Sequence, residues 1–317
     1  MDSPLALAAQ IKQKTLELGF DLAGIAPAHP SQYRTYLRQW LDDGQAGTMQ
    51  YLSQRFDERT DPATYLPGAQ SVVCAAVNYF VPLEPPPPDP AAQRGRVARY
   101  ALGGDYHEWL TSRLHTLADW IRQIVPTAQT RTSVDTAPVM EKELAARAGL
   151  GWIGKNTCLI HPRAGSFLLL GEVITTLPLP ADAPAIDRCG QCRRCLDACP
   201  TQALTEPYHM DARRCIAYLN IEHRQEIAAD LAAKMGDWLF GCDICQDVCP
   251  FNRHPLPATQ PQFTPRWKSG TLDLNDVLHW SPEDYAANLH GSAMKRVKLP
   301  MLQRNAKIIA ENLRDHW

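Results

Sequence analysis

The sequence predicts a mixed α and β protein, α+β or α/β, with a central sheet and a separate cysteine-rich segment. Three observations predict this. Hydrophobic content of 45% and charged content of 21% over 317 residues are ordinary for a folded chain of one large or two to three smaller domains. Helical and strand-like apolar spacings alternate through about the first 180 residues. Seven of the ten cysteines then crowd into two short runs.

Taken in order, residues 4–19 and 32–43 carry apolar residues at helical spacing. "SVVCAAVNYF" is a Val-rich apolar run bounded by Gly68 and a proline tract, which predicts a buried strand. "PLEPPPPDP" (82–90) cannot enter a helix or a central strand and reads as a stiff exposed spacer. "DYHEWLTSRLHTLADWIRQIV" predicts an amphipathic helix from about 105 to 125. "TRTSVDT" is a short strand ending at Asp135, and "APVMEKELAARAG" a helix opened by Pro138 and closed by Gly149. "TCLIHPRAGSFLLLGEVITT" reads as two strands joined by a turn at 162–165, a hairpin.

Composition also excludes. A formal net charge of −2 means that any nucleic-acid contact must come from a local basic patch. No apolar run has the length of a membrane span. The N-terminus has an acid at position 2 and lysines at 12 and 14 within an amphipathic pattern, not the order of a signal peptide. A cytoplasmic, reducing location is expected, where structural disulfides are rare.

The first cysteine run, "CGQCRRCLDACP" (189–200), has the spacing C-x2-C-x2-C-x3-C-P. Zinc sites usually join two separated Cys pairs. Three cysteines at i, i+3 and i+6 suit a loop wrapping one face of an iron–sulfur cube, and the full run is the bacterial ferredoxin pattern, whose fourth cysteine serves the other cluster. "CDICQDVCP" (242–250) is the same device short of one cysteine, and Cys215 lies between the runs. The expected ligand sets are therefore Cys189, Cys192, Cys195 and Cys249 for one [4Fe–4S] cluster, and Cys199, Cys215, Cys242 and Cys245 for the other. Cys74 and Cys158 lie in apolar runs and are expected to pack in the core.

"GLGWIGKNT" (149–157) matches G-x-G-x-x-G, but a nucleotide loop follows a strand and opens a helix. Here the order is reversed. The glycines instead permit close backbone approach, as a large flat ligand requires. Asp135 has two readings of equal weight: an N-cap for the next helix, or an acid at the mouth of a ligand crevice.

Longer stretches make the resemblance specific. "RYALGGDYH", "SVDTAPVMEKELAARAGLGWIGKNTCLIHPRAGSFLLLGEVITTLPL", the eight-cysteine set and "CIAYLNIEH" resemble the epoxyqueuosine reductases, over roughly residues 5 to 310. The resemblance implies an α+β protein: a nitroreductase-like cobalamin-binding domain (1–180), a ferredoxin-like domain with two [4Fe–4S] clusters (181–260) and a short helical C-terminal segment (261–317). Longer members continue into HEAT-like repeats, which these 317 residues do not reach. The implied activity is reduction of epoxyqueuosine to queuosine at the wobble position of tRNAs with G-U-N anticodons (the Tyr, His, Asn and Asp acceptors). It implies a cobalt nucleophile for the epoxide carbon and clusters that feed it electrons. Asp135 matches the family's acid, and a raised pKa is expected for it beside a corrin.

For the cofactor, Arg59, Tyr106, His107, Asp135, Gly154, Lys155, Asn156 and His161 are the expected neighbours. "DYHEWL" has the D-x-H order of a cobalamin motif, yet Leu110 stands where that motif has glycine. His107 is therefore expected on a helix surface or lining the pocket, not on cobalt. Expected tRNA contacts are Arg193, Arg194, Lys295, Arg296, Lys298 and Arg304, which with Arg213, Arg214 and Lys307 form three basic clusters along the chain. An unidentified low-potential electron donor, no membrane association and a monomer complete the expectations. The competing readings are a cobalamin-dependent reductive dehalogenase-like reductase of small molecules and an electron-transfer protein with no substrate of its own.

Overall fold

The computed structural model describes residues 3–86 and 93–315. Its centre is a four-stranded antiparallel sheet in the order β1 (Leu22–Pro27), β2 (Ser71–Asn78), β7 (Leu168–Thr175), β4 (Thr130–Ser133). Side chains alternate across a strand, and β2 uses both faces. Val73, Ala75 and Val77 join one apolar cluster, while Val72, Cys74 and Ala76 join another. Helices Pro4–Glu17 and Tyr106–Ile124 cover the first face and Glu141–Arg147 the second. Cys74 is thus a core residue, as expected.

The helix Tyr106–Ile124 buries Leu110, Leu114, Leu117 and Ile121 completely. It can lie this close because β7 has glycine at 171, where a Cβ would stand 2.6 Å from Leu114 Cδ1. A Leu114→Ala change in such a site costs about 2–5 kcal/mol. This packing fixes the helix start, which is capped by Asp105 accepting from the His107 N–H.

Several expected boundaries move. The first helix is Pro4–Glu17, capped by Ser3, and the second Arg34–Asp42. Strand β1 went unread because its six residues include Gly24 and Pro27. Strand β4 ends at Ser133, so Asp135 lies in the loop beyond it. The next helix starts at Glu141, not at Pro138, because Ala137 and Val139 turn back on Val134 and Ala137. Its N-cap is Met140, which makes no side-chain cap, and Asp135 caps nothing there. Gly149 does close it, at φ +77°.

The expected hairpin is also divided. β6 (Leu159–Ile160) pairs with β5 (Trp152–Ile153), β7 belongs to the main sheet, and only the His161–Gly165 bridge links the two ends of the turn. Of the proline tract, residues 87–90 lie outside the described residues.

A second sheet joins distant parts of the chain. β3 (Arg94–Val97) pairs in parallel with β8 (Trp238–Phe240) and antiparallel with β9 (Thr271–Asp273). Helix Leu299–Asp315 packs on β8 and on helices Ile216–Ile221 and Leu274–His279. One apolar cluster runs from Ala8 to Ala310, so residues on both sides of positions 180 and 260 share a core.

Candidate functional site: two thiol sets and a carboxylate–imidazole array

Each cysteine run turns into a four-residue helix, Arg194–Asp197 and Ile244–Asp247, and the two helices pack together. The thiols sort themselves by their neighbours. Burial pushes Cys195 up to about 11, with Cys189 and Cys249 adding; Cys249 is raised by burial and by Cys189, Cys192 and Cys158. Cys215 is raised by burial, then by Cys199 and Cys158. Burial raises Cys242, with Cys215, Asp243 and Cys199 adding. Cys245 is raised by its bond to Cys158, then by burial, Cys242 and Cys215. Two groups of four result, and Cys199 sits with the second run although it belongs to the first in sequence. Among the described residues no three His, Cys, Asp or Glu side chains converge on a point for a single ion. Thiolates at the corners of an iron–sulfur cube stand further apart than the ligands of one ion, so the arrangement fits two cubes.

Cys158, expected to be plain core packing, instead bonds Cys245 at the second set. It is carried there by the loop 152–161, which grips both runs. Trp152 Nε1–H donates to Cys189 Sγ at 3.4 Å, and Lys155 Nζ donates to Gly190 O at 2.5 Å and Cys192 O at 3.0 Å. Asn156 Nδ2 donates to Cys245 O at 3.3 Å, while its Oδ1 accepts from Cys158 N. Gly154 is needed because a Cβ there would stand 2.3 Å from Ile160 Cδ1. His161 Nδ1 accepts from the backbone of Ala164 and Arg163. Lys155, Asn156 and His161, expected at a cofactor, thus have partners in the cysteine loops and their own turn.

The other centre is Asp135. His107 Nε2 lies 2.8 Å from Asp135 Oδ1 and His107 Nδ1 lies 2.6 Å from Asp105 Oδ1. The Tyr106 hydroxyl donates to Asp135 Oδ2, and its ring stacks on His107 at 4.0 Å. His107 is therefore not a solvated helix histidine. Burial pushes the Asp135 carboxyl up, but the His107 bond and charge, the Tyr106 hydroxyl and Arg296 outweigh it, and the carboxyl is held below its ordinary value. The raised value expected from sequence is for the carboxyl beside a corrin; with the chain's own groups alone the direction is downward. Burial lowers the His107 imidazole, and Asp135 and Asp105 overcome that to lift it to about 9. One proton is held between Asp135 and His107, mainly on the ring.

Around this array stand Tyr51, 43% exposed, and Arg296, whose guanidinium lies 5.7 Å from the Tyr51 ring and pairs with Glu222 at 2.9 Å. Arg59 donates to Tyr51 O at 3.2 Å, yet its buried Nε has no partner among the described residues. The same holds for Glu141 Oε1 and both oxygens of Glu172, which is fully buried in β7. Burial lifts Glu172 to about 8, and Glu141, raised by burial, feels both Glu172 and Asp135.

Residues 188–252 match a family model described as a 4Fe-4S double cluster binding domain, and residues 59–136 one described as epoxyqueuosine reductase QueG, DUF1730. An epoxyqueuosine reductase of Synechococcus sp. (strain RCC307) is 42% identical over 308 residues, 95% of this chain and 93% of the relative. The chain belongs to the epoxyqueuosine reductase family. The Pseudomonas aeruginosa member is 40% identical over 96% of this chain and 85% of its own length. An epoxyqueuosine reductase solved with an epoxyqueuosine-modified tRNA-Tyr stem loop superposes with a TM-score of 0.93 at 29% identity, covering 99% of this chain and 83% of that one. A Bacillus subtilis member, solved with its catalytic aspartate loop swung out of the active site, gives 0.92 at 28% identity over the same shares.

Within this family member the basic residues divide. Arg296 stands at Asp135, and Lys295 and Lys298 beside it in sequence are exposed without side-chain partners among the described residues. Arg304, expected as a phosphate contact, has its guanidinium bonded to Leu219 O, His223 O and Gln225 O and to Asn305 Oδ1. It closes the end of helix Ile216–Ile221 and offers little to a phosphate. Arg193 and Arg194 accompany the first thiol set. Arg213 is held by Asp211 at 2.8 Å, and Arg214 donates to Thr201 O at 2.9 Å.

Sequence reasoning missed the roles of His107 and Cys158 and the closeness of Tyr51, Glu222 and Arg296 to Asp135. Only His107 left a signal, the D-x-H order before a helix.

Proposed function

We propose that the chain reduces epoxyqueuosine to queuosine at the wobble position of tRNA. The observation that carries this is a proton-holding Asp135–His107–Asp105 array, linked through Tyr106 and Tyr100 to the second of two sets of four thiols. Tyr100 packs with Cys215 and Cys242 in one apolar cluster, and its ring lies 6.1 Å from that of Tyr106. Removing an epoxide oxygen as water takes two electrons and two protons, and the two ends of this arrangement serve those two needs.

Cys189, Cys192, Cys195 and Cys249 hold one [4Fe–4S] cluster, and Cys199, Cys215, Cys242 and Cys245 the other. Cobalamin fits beside Asp135, where the partnerless Arg59 Nε and Glu141 Oε1 match a ligand rimmed with amide donors and acceptors; the antiparallel sheet with helices on both faces supports the nitroreductase-like reading. When bound, cobalamin supplies a strong low-valent nucleophile and the clusters supply electrons singly. Arg59, Tyr106 and Glu141 would hold and orient it. Asp135 then faces the epoxide oxygen and delivers a proton to it as the ring opens. Because Asp135 rests as a carboxylate, that proton comes from His107 Nε2 across the 2.8 Å contact, while Asp105 steadies the ring through Nδ1. The nucleobase must leave its stack to reach this point. Lys295 and Lys298, exposed without side-chain partners among the described residues, track phosphates beside it, with Arg296 paired to Glu222.

The tRNA substrate, an external low-potential donor, a monomeric state and a cytoplasmic location belong to the same proposal. Among the described residues no helix is long and apolar enough to cross a membrane. The test is anaerobic incubation of the loaded protein with epoxyqueuosine-containing tRNA and reduced methyl viologen, followed by mass spectrometry of the nucleosides. Conversion to queuosine is expected. Dehalogenation of small organohalides with no tRNA turnover would favour the alternative.

A further inference from the structure

The residues flanking the two thiol sets differ in depth, although Cys249 of the first set is itself buried. Around the first, Gly190, Gln191, Arg193 and Arg194 are exposed; around the second, Gly241, Asp243 and Gln246 are buried, as are Ile216 and Tyr218 beside Cys215. Cys215 and Cys242 of the second set pack against the same apolar cluster as Tyr100, whose ring lies 6.1 Å from that of Tyr106. This arrangement suits entry of electrons at the first set and exit from the second.

The protein surface over the first set is distinctive. Arg188, Arg193, Arg194 and Arg253 are all exposed there, and among the described residues only Arg193 of the four has an ion pair, 3.5 Å from Asp197 with both mostly exposed. Arg194 and Arg253 line a cleft of about 550 Å³ with Cys249 in its wall. Asp247, also in that wall, is neutralised from within by Arg99 at 2.6 Å. Asp187 is occupied by the Tyr208 hydroxyl and the Cys189 N–H. Beside them Ile186 is 80% exposed. Exposed arginines, carboxylates that already have partners within the protein (Asp197 with Arg193, Asp247 with Arg99, Asp187 with Tyr208) and one bare apolar side chain make a surface for a protein of opposite charge.

We propose that this face docks a small acidic one-electron carrier protein, which reduces the first cluster. The inference rests on the reductase reading above. Each visit oxidises the carrier by one electron and reduces the cluster by one. Two visits supply the two electrons that, with two protons, convert the epoxide to an alkene and one water. Arg193 and Arg194 are thereby assigned to the donor instead of tRNA: the wobble base must reach Asp135, where Arg296 already stands, and the first thiol set makes no contact with that array.

The test uses the full chain with both clusters and cobalamin loaded, and the double variant Arg188→Glu/Arg253→Glu. The probes are an acidic flavodoxin and an acidic [2Fe–2S] ferredoxin. The readouts are affinity for each oxidised carrier, the rate of cluster bleaching by each reduced carrier, and tRNA affinity by gel shift. Carrier affinity and bleaching rate at low salt should fall on the order of tenfold or more in the variant, and wild type should converge on it as salt screens the pair. Bleaching by reduced methyl viologen, which needs no docking face, should be unchanged, as should tRNA affinity. Neither carrier binding the wild type, or equal carrier affinity in both proteins, would overturn the proposal. So would a variant that loses tRNA and keeps the carriers, since the face would then belong to RNA. Absence of epoxide turnover with methyl viologen in wild type would instead strike at the reductase reading.

Discussion

His107 Nε2 stands 2.8 Å from Asp135 Oδ1, and the ring's other nitrogen stands 2.6 Å from Asp105 Oδ1. A raised imidazole and a lowered carboxylate are thus adjacent, with a second carboxylate on the ring's other nitrogen. The charged groups facing the imidazole are Asp105 and Asp135, with Arg296 beyond the latter.

In the proposed mechanism, loss of the ring proton sets the alkaline limit of turnover. With His107 lifted to about 9, single-turnover epoxide loss should hold through neutral pH and fall as pH rises through about 9. Asp105→Asn removes one of the two supports. Its alkaline limb should move down toward the ordinary imidazole value of 6.5, with turnover at pH 6 little changed. A pH–rate profile of both proteins checks this; coincident limbs would mean that Asp105 only caps the helix.

The same pair leaves a mark on stability, and its sign is fixed. His107 is raised on folding, so its contribution is fully present below 6.5 and is lost as pH rises through about 9. Asp135 is lowered, so its contribution is present above the ordinary 3.8 and is lost as pH falls through the depressed value. The pair therefore helps most between about pH 4 and 6.5. Because both side chains are about a third or more exposed, at 32% and 42%, the effect should stay under about 1 kcal/mol. The Tm gap between wild type and His107→Gln should be visible at pH 6 and close by pH 10.

Cys199 tests the sorting of the thiols. Cys199→Ser should damage the cluster held by Cys215, Cys242 and Cys245, leaving about four of eight irons and an intact first cluster by EPR. Loss of the first cluster instead would mean that each run serves its own cube. Cys74→Ser should leave both clusters in place.

On the basic tail, Lys295→Glu/Lys298→Glu should weaken tRNA binding and lower its salt slope by about one unit per lost phosphate contact. Arg304→Ala should do something different. Its guanidinium bonds three backbone carbonyls, so removing it strands them and costs about 1–3 kcal/mol, with binding per folded molecule unchanged. Thermal melts and gel shifts on the two proteins separate the roles.

Much of this was legible in the chain. The spacing of the cysteine runs, with Cys215 between them, gave both thiol sets, because local loop geometry dictates that pattern. β2 was legible because a fully buried strand is an unbroken apolar run. The start of helix Glu141–Arg147 was not, since Pro138 is a good opening residue and only the tertiary turn at 134–139 defers it. Asp135 carried two readings, and the displaced helix start removed the capping one. Its lowered pKa could not be read, because it depends on His107, twenty-eight positions away and brought close by packing through Gly171 and Leu114. The same is true of Cys158 and Tyr51, which look like core and surface until distant segments meet them.

The most direct measurement is single-turnover loss of the epoxide from modified tRNA by anaerobic, fully loaded protein, comparing wild type with Asp135→Asn. Asparagine keeps the side chain's shape but cannot pass on a proton, and no helix cap depends on it. The account predicts queuosine formation by wild type and a loss of ~10²–10⁴ in rate for the variant, with iron, cobalamin and Tm close to normal. An asparagine variant that turns over at the wild-type rate, or a fully loaded wild type that leaves the epoxide intact, would contradict it.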